Sequence, residues 1–178
     1  VFIHVSTLTG QIFVVVRIGK ITRADTLFIV YASQSFPHMQ VEVSKINCDF
    51  LFFTAHKVMA DSGLGVIWWR RELLETYKPI FSWGGAINEV KKECFKPGTL
   101  PFKFEPGTPN ISGALSLLKA LEYIETLWWY QKIEAIEADL IEYSLTQFQK
   151  RPYLKLIWGV KSEKRVGVFW FYIEWVHA

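Results

Sequence analysis

The residues best placed to do chemistry are Thr54, His56 and Lys57, which directly follow an apolar run at residues 48–53. The run has the aromatic content of a short buried strand. In open α/β sheets, ligands bind just beyond the carboxyl ends of strands. A lysine there can lose its proton through desolvation or a neighbouring cation. Its neutral amine can then form a Schiff base with an aldehyde, for example that of pyridoxal phosphate (PLP). A solvated lysine is the commoner alternative for one such residue considered alone.

Three predicted strands end at polar residues that could share one site. The first strand precedes Thr7, the second precedes Gln34, and the third leads into Thr54 and Lys57. This convergence is what a doubly wound α/β sheet with a ligand at its carboxyl edge requires. Together with a fourth, the strands are predicted at residues 1–5, 26–31, 48–53 and 64–69.

Three blocks of sequence resemble the SufS-like cysteine desulfurases of the class V aminotransferase fold type. The first block is Tyr31-Ala32-Ser33-Gln34 with the Pro37-His38 stretch after it, similar to the family's Asp-x-x-Gln strand end. The second runs from Cys48 through Thr54-Ala55-His56-Lys57 to Gly65, and the third is Phe104-Glu105-Pro106-Gly107-Thr108-Pro109-Asn110. Their order and spacing agree with the family. Residues 4–10 and 156–177 show weaker similarity.

The resemblance implies an α/β fold, namely part of a PLP-dependent transferase (aspartate aminotransferase-like, fold type I) large domain and the start of a small C-terminal α+β domain. The boundary is expected between residues 1–127 and residues 128–178. Residues 11–25 should then form a crossover helix between parallel strands, although the run Phe13-Val14-Val15-Val16 prefers a strand locally.

The resemblance also implies a role for each matching residue. Lys57 would hold PLP as a Schiff base, Thr54 and His56 would bind its phosphate, and Gln34 would donate to the ring-hydroxyl side. A hydroxyl and an imidazole N–H both donate to anions, so the phosphate role fits their chemistry. Gly107 and Thr108 would reach the phosphate of a neighbouring subunit, which implies a two-fold homodimer.

Two positions depart from the family pattern. Tyr31 stands where the family has the aspartate that keeps the pyridine nitrogen protonated. A neutral phenol cannot supply that charge. The loss of a charge-assisted hydrogen bond costs about 1.5–3 kcal/mol, which would slow the chemistry roughly tenfold to a hundredfold. Thr7 stands where the family has an asparagine near the cofactor oxygen.

The implied function is that of a cytoplasmic, PLP-dependent cysteine desulfurase acting on L-cysteine. It would yield L-alanine and an enzyme-bound persulfide, whose sulfur passes to an acceptor protein and to iron–sulfur cluster assembly. The family's nucleophilic cysteine, carboxylate-binding arginine and ring-stacking histidine are expected outside this chain. Three alternatives remain: a selenocysteine lyase, a non-catalytic protein or fragment of the same fold with a structural or regulatory role, and an imperfect reading of the sequence at Tyr31 and Thr7.

Composition argues against several other classes of protein. The 178 residues are 51% hydrophobic, enough for one core, and the 16% aromatic content predicts apolar surface that faces a partner. A net charge of +3 without clustered basic residues does not indicate a nucleic-acid partner. The four histidines match no zinc spacing, so no metal is expected. The apolar runs are shorter than the ~18–20 residues of a membrane span, and two cysteines make no disulfide framework.

The second half of the sequence is predicted to be mainly helical. A short helix at residues 71–77 stops before Pro79, and residues 81–106 are predicted to form a long loop because glycine and proline interrupt them. Helices are predicted at residues 109–127 and 131–150, and strands at residues 154–158 and 166–175. The expected inward faces are Ala114, Leu117, Leu118, Leu121 and Ile124 on the first helix, and Ile133, Ile136, Leu140, Leu145 and Phe148 on the second.

Overall fold

A four-stranded mixed sheet forms the centre of the computed structural model, which describes residues 1–22, 25–126, 129–157 and 164–176. The strand order is β1-β2-β3-β4, with β1, β2 and β3 parallel and β4 antiparallel to β3. The strands are β1 (Phe2–Ile3), β2 (Ile29–Tyr31), β3 (Phe50–Thr54) and β4 (Gly65–Trp69). All four predicted strands are therefore confirmed, each within a few residues, and so is the α/β class.

Helix α1 (Val15–Ile21) makes the crossover between β1 and β2. The prediction of a helix within residues 11–25 is confirmed, against the strand preference of its valines. Tertiary packing overrides that preference: Val15 is buried in the core, and α1 packs on the short helix α2 (Val43–Ile46). The approach is close, since a Cβ added at Gly19 would lie 1.9 Å from the carbonyl oxygen of Ile46.

The core runs along β2 and β3, from the residues just before these strands to the carboxyl edge at which the strands end. Phe36 and Phe53 stack there with ring centroids 4.1 Å apart, and Cys48 is fully buried just before β3. Burial of one such large side chain stabilises the fold by about 1.5–3 kcal/mol. The other buried members of this cluster are Val15, Phe28, Val30, Ala32, Ile46, Leu51, Ala55, Val58, Leu117 and Ile124.

Three further helices follow the sheet, namely α3 (Arg71–Thr76), α4 (Ile111–Thr126) and α5 (Trp129–Gln149). Their existence is confirmed, but part of the predicted inward faces is wrong. Leu118 is 48% exposed, and Ile136 and Leu140 are each 58% exposed. On α4 and α5 the buried residues lie along a single stripe, three or four residues apart, whereas α3 has no buried residue. The buried residues of these stripes are Gly113, Leu117, Ala120 and Ile124 on α4, and Ile141 and Leu145 on α5.

The prediction of a long loop over residues 81–106 is wrong. The segment contains an antiparallel hairpin of β5 (Ile87–Val90) and β6 (Phe95–Pro97), and then a 3₁₀ turn (Phe102–Phe104). The hairpin turn is closed by a hydrogen bond from the Lys91 N–H to the Cys94 carbonyl, 2.8 Å. Both strands are largely exposed, so they lack the alternation of apolar and polar residues by which a half-buried strand is recognised in a sequence.

The described C-terminal part forms a second short hairpin, of β7 (Leu154–Leu156) and β8 (Phe171–Ile173). The strand predicted at residues 154–158 is confirmed in its described part, and that at residues 166–175 only over β8. Most of the charged turn predicted at residues 161–164 lies outside the described residues. No helix in the described ranges is long and apolar enough to cross a bilayer.

Candidate functional site

The turn after β3 holds Lys57 at the carboxyl edge of the sheet. The chain passes from Thr54 straight into a 3₁₀ turn (Ala55–Val58). Ala55 and Val58 are buried, so the turn is anchored by its first and last residues. His56 is left exposed and Lys57 half-buried between them. The placement of these side chains thus follows from the two apolar anchors.

A hydrogen bond joins Lys57 to the loop after the neighbouring strand. The Lys57 Nζ donates to Oε1 of Gln34 over 2.9 Å. The two loops are also connected through backbone, because the Thr54 N–H donates to Oγ of the fully buried Ser33 over 3.0 Å. The structure therefore brings together Gln34, Thr54 and Lys57, three residues that the sequence placed at the ends of two separate strands.

Two residues without a predicted role extend this group. Nε2 of Gln34 lies 3.3 Å from Nε2 of His38, and Nδ1 of His38 lies 2.8 Å from Oε1 of Glu137 on α5. Burial raises the pKa of Glu137, but hydrogen bonds from His38 and from the Gly167 N–H outweigh burial and the net pKa is lowered. The Gln34–His38 spacing of four residues was a usable signal in the sequence. Glu137 gave none, because it is remote in the chain.

The side-chain oxygen of Thr54 is suited to an anionic ligand. Oγ1 is buried and has no hydrogen-bond partner among the described residues. A buried hydroxyl without a partner is costly, and such groups call for a specific explanation. A phosphate oxygen would accept its proton. Thr54 beside an amine on Lys57 and an exposed imidazole on His56 is a donor set that fits the phosphate and aldehyde of PLP.

Tyr31 and Thr7 lie at the carboxyl ends of the two strands that precede β3 in the sheet order. Tyr31 is the last residue of β2, and its ring packs on Phe52 with centroids 5.1 Å apart. Thr7 lies exposed in the turn after β1, where the Thr9 N–H donates to Oγ of Ser6. Neither residue hydrogen-bonds to Lys57 or Gln34 within the described ranges, so their predicted contact with a cofactor stays a prediction.

Gly107 and Thr108 lie in a different loop. Gly107 has φ = +95°, a conformation that glycine adopts readily, and its N–H donates to the Gly84 carbonyl over 2.7 Å. A Cβ at Gly107 would lie 3.2 Å from Nε1 of Trp83. Thr108 is exposed. The described part of the chain shows no hydrogen bond between this loop and the Lys57 group, so the predicted role of Gly107 and Thr108 at a phosphate stays a prediction.

The two cysteines lie in different surroundings. Cys48 is fully buried, and burial raises the pKa of its thiol to about 11. Cys94 is exposed in the β5–β6 hairpin. Within the described ranges no cluster of three or more His, Cys, Asp or Glu side chains could hold a metal ion.

Comparisons with known proteins agree on one group. The family model "Aminotransferase class-V" matches residues 1–178. The chain is 33% identical over 98% of its length to a cysteine desulfurase from Wigglesworthia glossinidia brevipalpis, and 35% identical over 98% to a probable cysteine desulfurase from Pyrococcus abyssi. It spans 42% and 43% of the length of these two proteins.

Solved structures give the same picture. The apo structure of a cysteine desulfurase from Thermococcus onnurineus superposes with a TM-score of 0.91 at 34% identity, covering 98% of this chain and 44% of that one. A cysteine desulfurase from Escherichia coli superposes with a TM-score of 0.85 at 27% identity, with 98% and 43% coverage. These proteins have the PLP-dependent transferase fold expected above.

Proposed function

Because the chain belongs to the class-V aminotransferase family, we propose that it carries the PLP-binding part of a cysteine desulfurase, with its large-domain portion at residues 1–127 and the start of a small domain at residues 128–178. The observation that carries this proposal is the Lys57 amine bonded to Gln34 at the carboxyl edge of the sheet, next to the Thr54 hydroxyl, which has no hydrogen-bond partner among the described residues. An amine, an amide and an anion-binding hydroxyl are what that cofactor needs.

Each residue of the site has a definite task in this proposal. Lys57 would provide the amine that binds the aldehyde, and the same amine would hold or move a proton at the substrate's Cα. Thr54 and His56 hold the phosphate, and Gln34 orients Lys57 and the ring-hydroxyl side. When bound, PLP supplies a ring that accepts the electrons released at Cα. Tyr31 and Thr7 would line the ring.

The net reaction conserves all atoms. L-cysteine and a protein thiol give L-alanine and a persulfide on that thiol, so the sulfur moves as a neutral atom and no external oxidant is required. Cys48 cannot serve as the acceptor, because it is fully buried with a raised thiol pKa. The attacking thiol is therefore a residue other than Cys48. The sulfur would pass on to an acceptor protein and to iron–sulfur cluster assembly.

The proposal includes a homodimer in the cytoplasm. Gly107 and Thr108 would complete the phosphate site of the partner subunit. Large apolar side chains in the segment before them, including Ile80 and Trp83, are exposed and could be covered by that subunit. Both cysteines are free thiols, which suits a reducing compartment.

Trapping of the cofactor tests the proposal directly. The purified protein is loaded with PLP, reduced with borohydride, digested and mapped by mass spectrometry. We expect a pyridoxyl adduct on Lys57 and its loss in Lys57→Ala, whereas Lys45→Ala, which removes an exposed lysine paired with Glu42, should keep it. An unmodified Lys57 in the native protein would refute the proposal.

Tyr31 favours one second candidate, a non-catalytic protein that retains the PLP site. A phenol at the end of β2 cannot hold a proton on the pyridine nitrogen as a carboxylate does. Tyr31→Asp separates the two candidates. A rise in alanine formation of roughly tenfold to a hundredfold would indicate an enzyme slowed at one position. No alanine from either form, with Lys57 still trapped and a small thiol added as the sulfur acceptor, would indicate the non-catalytic protein.

A further inference from the structure

A continuous chain of hydrogen bonds leads from Lys57 to helix α5. The Lys57 Nζ donates to Oε1 of Gln34 over 2.9 Å, and the other end of that amide lies 3.3 Å from Nε2 of His38. The opposite ring nitrogen of His38 lies 2.8 Å from Oε1 of Glu137. His38 and Glu137 are each only about a fifth exposed, at 22% and 18%, so water competes weakly for these bonds.

The direction of each bond in the chain follows from the carboxylate. Ionised Glu137 is acceptor-only, so the facing Nδ1 of His38 carries a hydrogen. A neutral imidazole has one N–H, so its Nε2 is then an acceptor and faces the NH₂ of Gln34. The carbonyl oxygen of Gln34 is thereby turned to Lys57, where it accepts from Nζ. With the amide reversed, NH₂ would face the ammonium group of Lys57, and two donors would meet.

We propose that Glu137 is a positioning residue which, through the tautomer of His38, sets the end of the Gln34 amide that faces Lys57. Histidine orientation by a carboxylate behind it is a general device in metal and catalytic sites. Here the carboxylate orients His38, and His38 in turn orients Gln34, which is the residue that bonds to Lys57. The inference rests on the proposed function of Lys57, since the amide orientation matters only if Lys57 binds a ligand.

Glu137 also joins this chain to the C-terminal segment. The same Oε1 accepts from the Gly167 N–H over 2.7 Å. A Cβ added at Gly167 would lie 2.9 Å from that oxygen. The Gly167 N–H therefore helps to hold the carboxylate in place. A displacement of this segment would change the position of Lys57 through the side chains of Glu137, His38 and Gln34.

The surroundings of His38 provide a matched control. A cleft of about 310 Å³ beside His38 is lined by Glu134 and Glu137 from α5 and by Arg165 from the C-terminal segment, and Lys57 lies beyond Gln34 on the far side. Glu134 is one turn before Glu137 on the same helix and makes no ion pair with His38. Glu134→Leu thus removes an equal charge from the same cleft and leaves the hydrogen bonds from Lys57 to Glu137 in place.

The test is the ¹⁵N spectrum of the His38 ring in the protein without PLP, assigned by its disappearance in His38→Asn. We expect a protonated, pyrrole-like Nδ1 and a pyridine-like Nε2. Glu137→Leu should lose this pattern, Glu134→Leu should keep it, and Glu137→Gln should retain it, because its amide oxygen can still accept from Nδ1. A proton on Nε2 in the native protein, or an unchanged pattern in Glu137→Leu, would overturn the inference.

A second readout uses the cofactor. The dissociation constant of PLP should rise about fivefold in Glu137→Leu, the weight of one neutral hydrogen bond, and stay unchanged in Glu134→Leu. If PLP binds no form of the protein, the proposed function fails, whereas the ¹⁵N result still decides this inference. If Glu137→Leu does not fold, Glu137→Ala, which removes the carboxylate and adds no bulk, should give the same loss of pattern.

Discussion

The carboxyl edge of the sheet and the segment before the β5–β6 hairpin differ in how far their side chains pack against, or hydrogen-bond to, other residues of the chain. At the edge, Phe53 is stacked on Phe36, and Lys57 and Gln34 bond to each other. In the segment at residues 80–83, Ile80 is 91% exposed, Phe81 63% and Trp83 53%. In the first region the large apolar side chains are packed, and among the described residues the Thr54 hydroxyl is left without a hydrogen-bond partner. The second leaves apolar surface that a partner could bury. One region thus holds the chemistry and the other is suited to assembly.

The largest difference should appear in stability. Phe53→Ala removes a 7% exposed ring from the core beneath Lys57 and should lower the free energy of unfolding by about 3–5 kcal/mol. Ile80→Ala, on the exposed segment, should change it by less than about 0.5 kcal/mol. Urea unfolding of both variants measures the contrast. Equal losses would mean that the exposed segment is packed within the folded chain in solution.

The next effect concerns the hydroxyl at the edge that has no partner. Thr54→Val keeps the side-chain shape and removes Oγ1, so we expect unchanged or slightly higher stability without PLP, because no hydrogen bond is lost. The PLP dissociation constant should rise roughly tenfold to a hundredfold, the equivalent of a charge-assisted hydrogen bond of about 1.5–3 kcal/mol. Fluorescence titration and urea unfolding give the two numbers. A loss of stability without PLP would contradict the assignment of this hydroxyl to an anion.

Acid should weaken the edge region first. The backbone N–H of His4 donates to the Tyr31 carbonyl over 3.0 Å, and the His4 side chain is buried, which lowers the pKa of its imidazole. The unfolded state therefore binds a proton that the folded state resists. The stabilising effect is complete above the unfolded value of about 6.5 and is lost as the pH falls towards the folded pKa. The lowered pKa of Glu137 adds a second loss of the same sign in more acid solution, below about pH 4.3.

Urea unfolding between about pH 7.5 and pH 5 measures the contribution of His4 to this loss of stability. His4→Gln should flatten the decline, whereas His56→Gln, at an exposed position, should leave it intact. A decline that survives in His4→Gln would place its origin in another group.

The substitution that should change the folding stability least should change the assembly of the protein most. Ile80→Lys places a charge on the exposed segment and should change the free energy of unfolding by less than about 0.5 kcal/mol. If this segment is covered by a second copy, sedimentation should show the native protein as a dimer and the variant as a monomer. Ile21→Lys, at a 78% exposed position on α1, is the matched control and should remain dimeric. A variant dimer as stable as the native one would exclude this segment from the interface.

Local sequence was sufficient to predict the four strands of the sheet and the position of Lys57 after the third. An apolar run ending in Thr54-Ala55-His56-Lys57 restricts that lysine to a strand end, whatever the rest of the chain does. It was not sufficient for the β5–β6 hairpin, whose exposed strands have no apolar face to create a period. It also misjudged Leu118 and Ile136, because periodicity shows which side chains can be buried and not which ones find a partner.

Contacts between remote residues decided the rest. The valines of α1 prefer a strand but lie in a helix. That helix packs so closely on α2 that a Cβ added at Gly19 would clash with the carbonyl oxygen of Ile46. The chain from Lys57 through Gln34 and His38 to Glu137 joins three separate elements, and no local pattern encodes it. Residue types and spacing thus specify which functional groups lie at the end of a strand, because those groups belong to residues that are neighbours in the sequence. Which of those groups meet, and which way an amide or an imidazole is turned, depends on distances that exist only after the sheet and α5 have packed together.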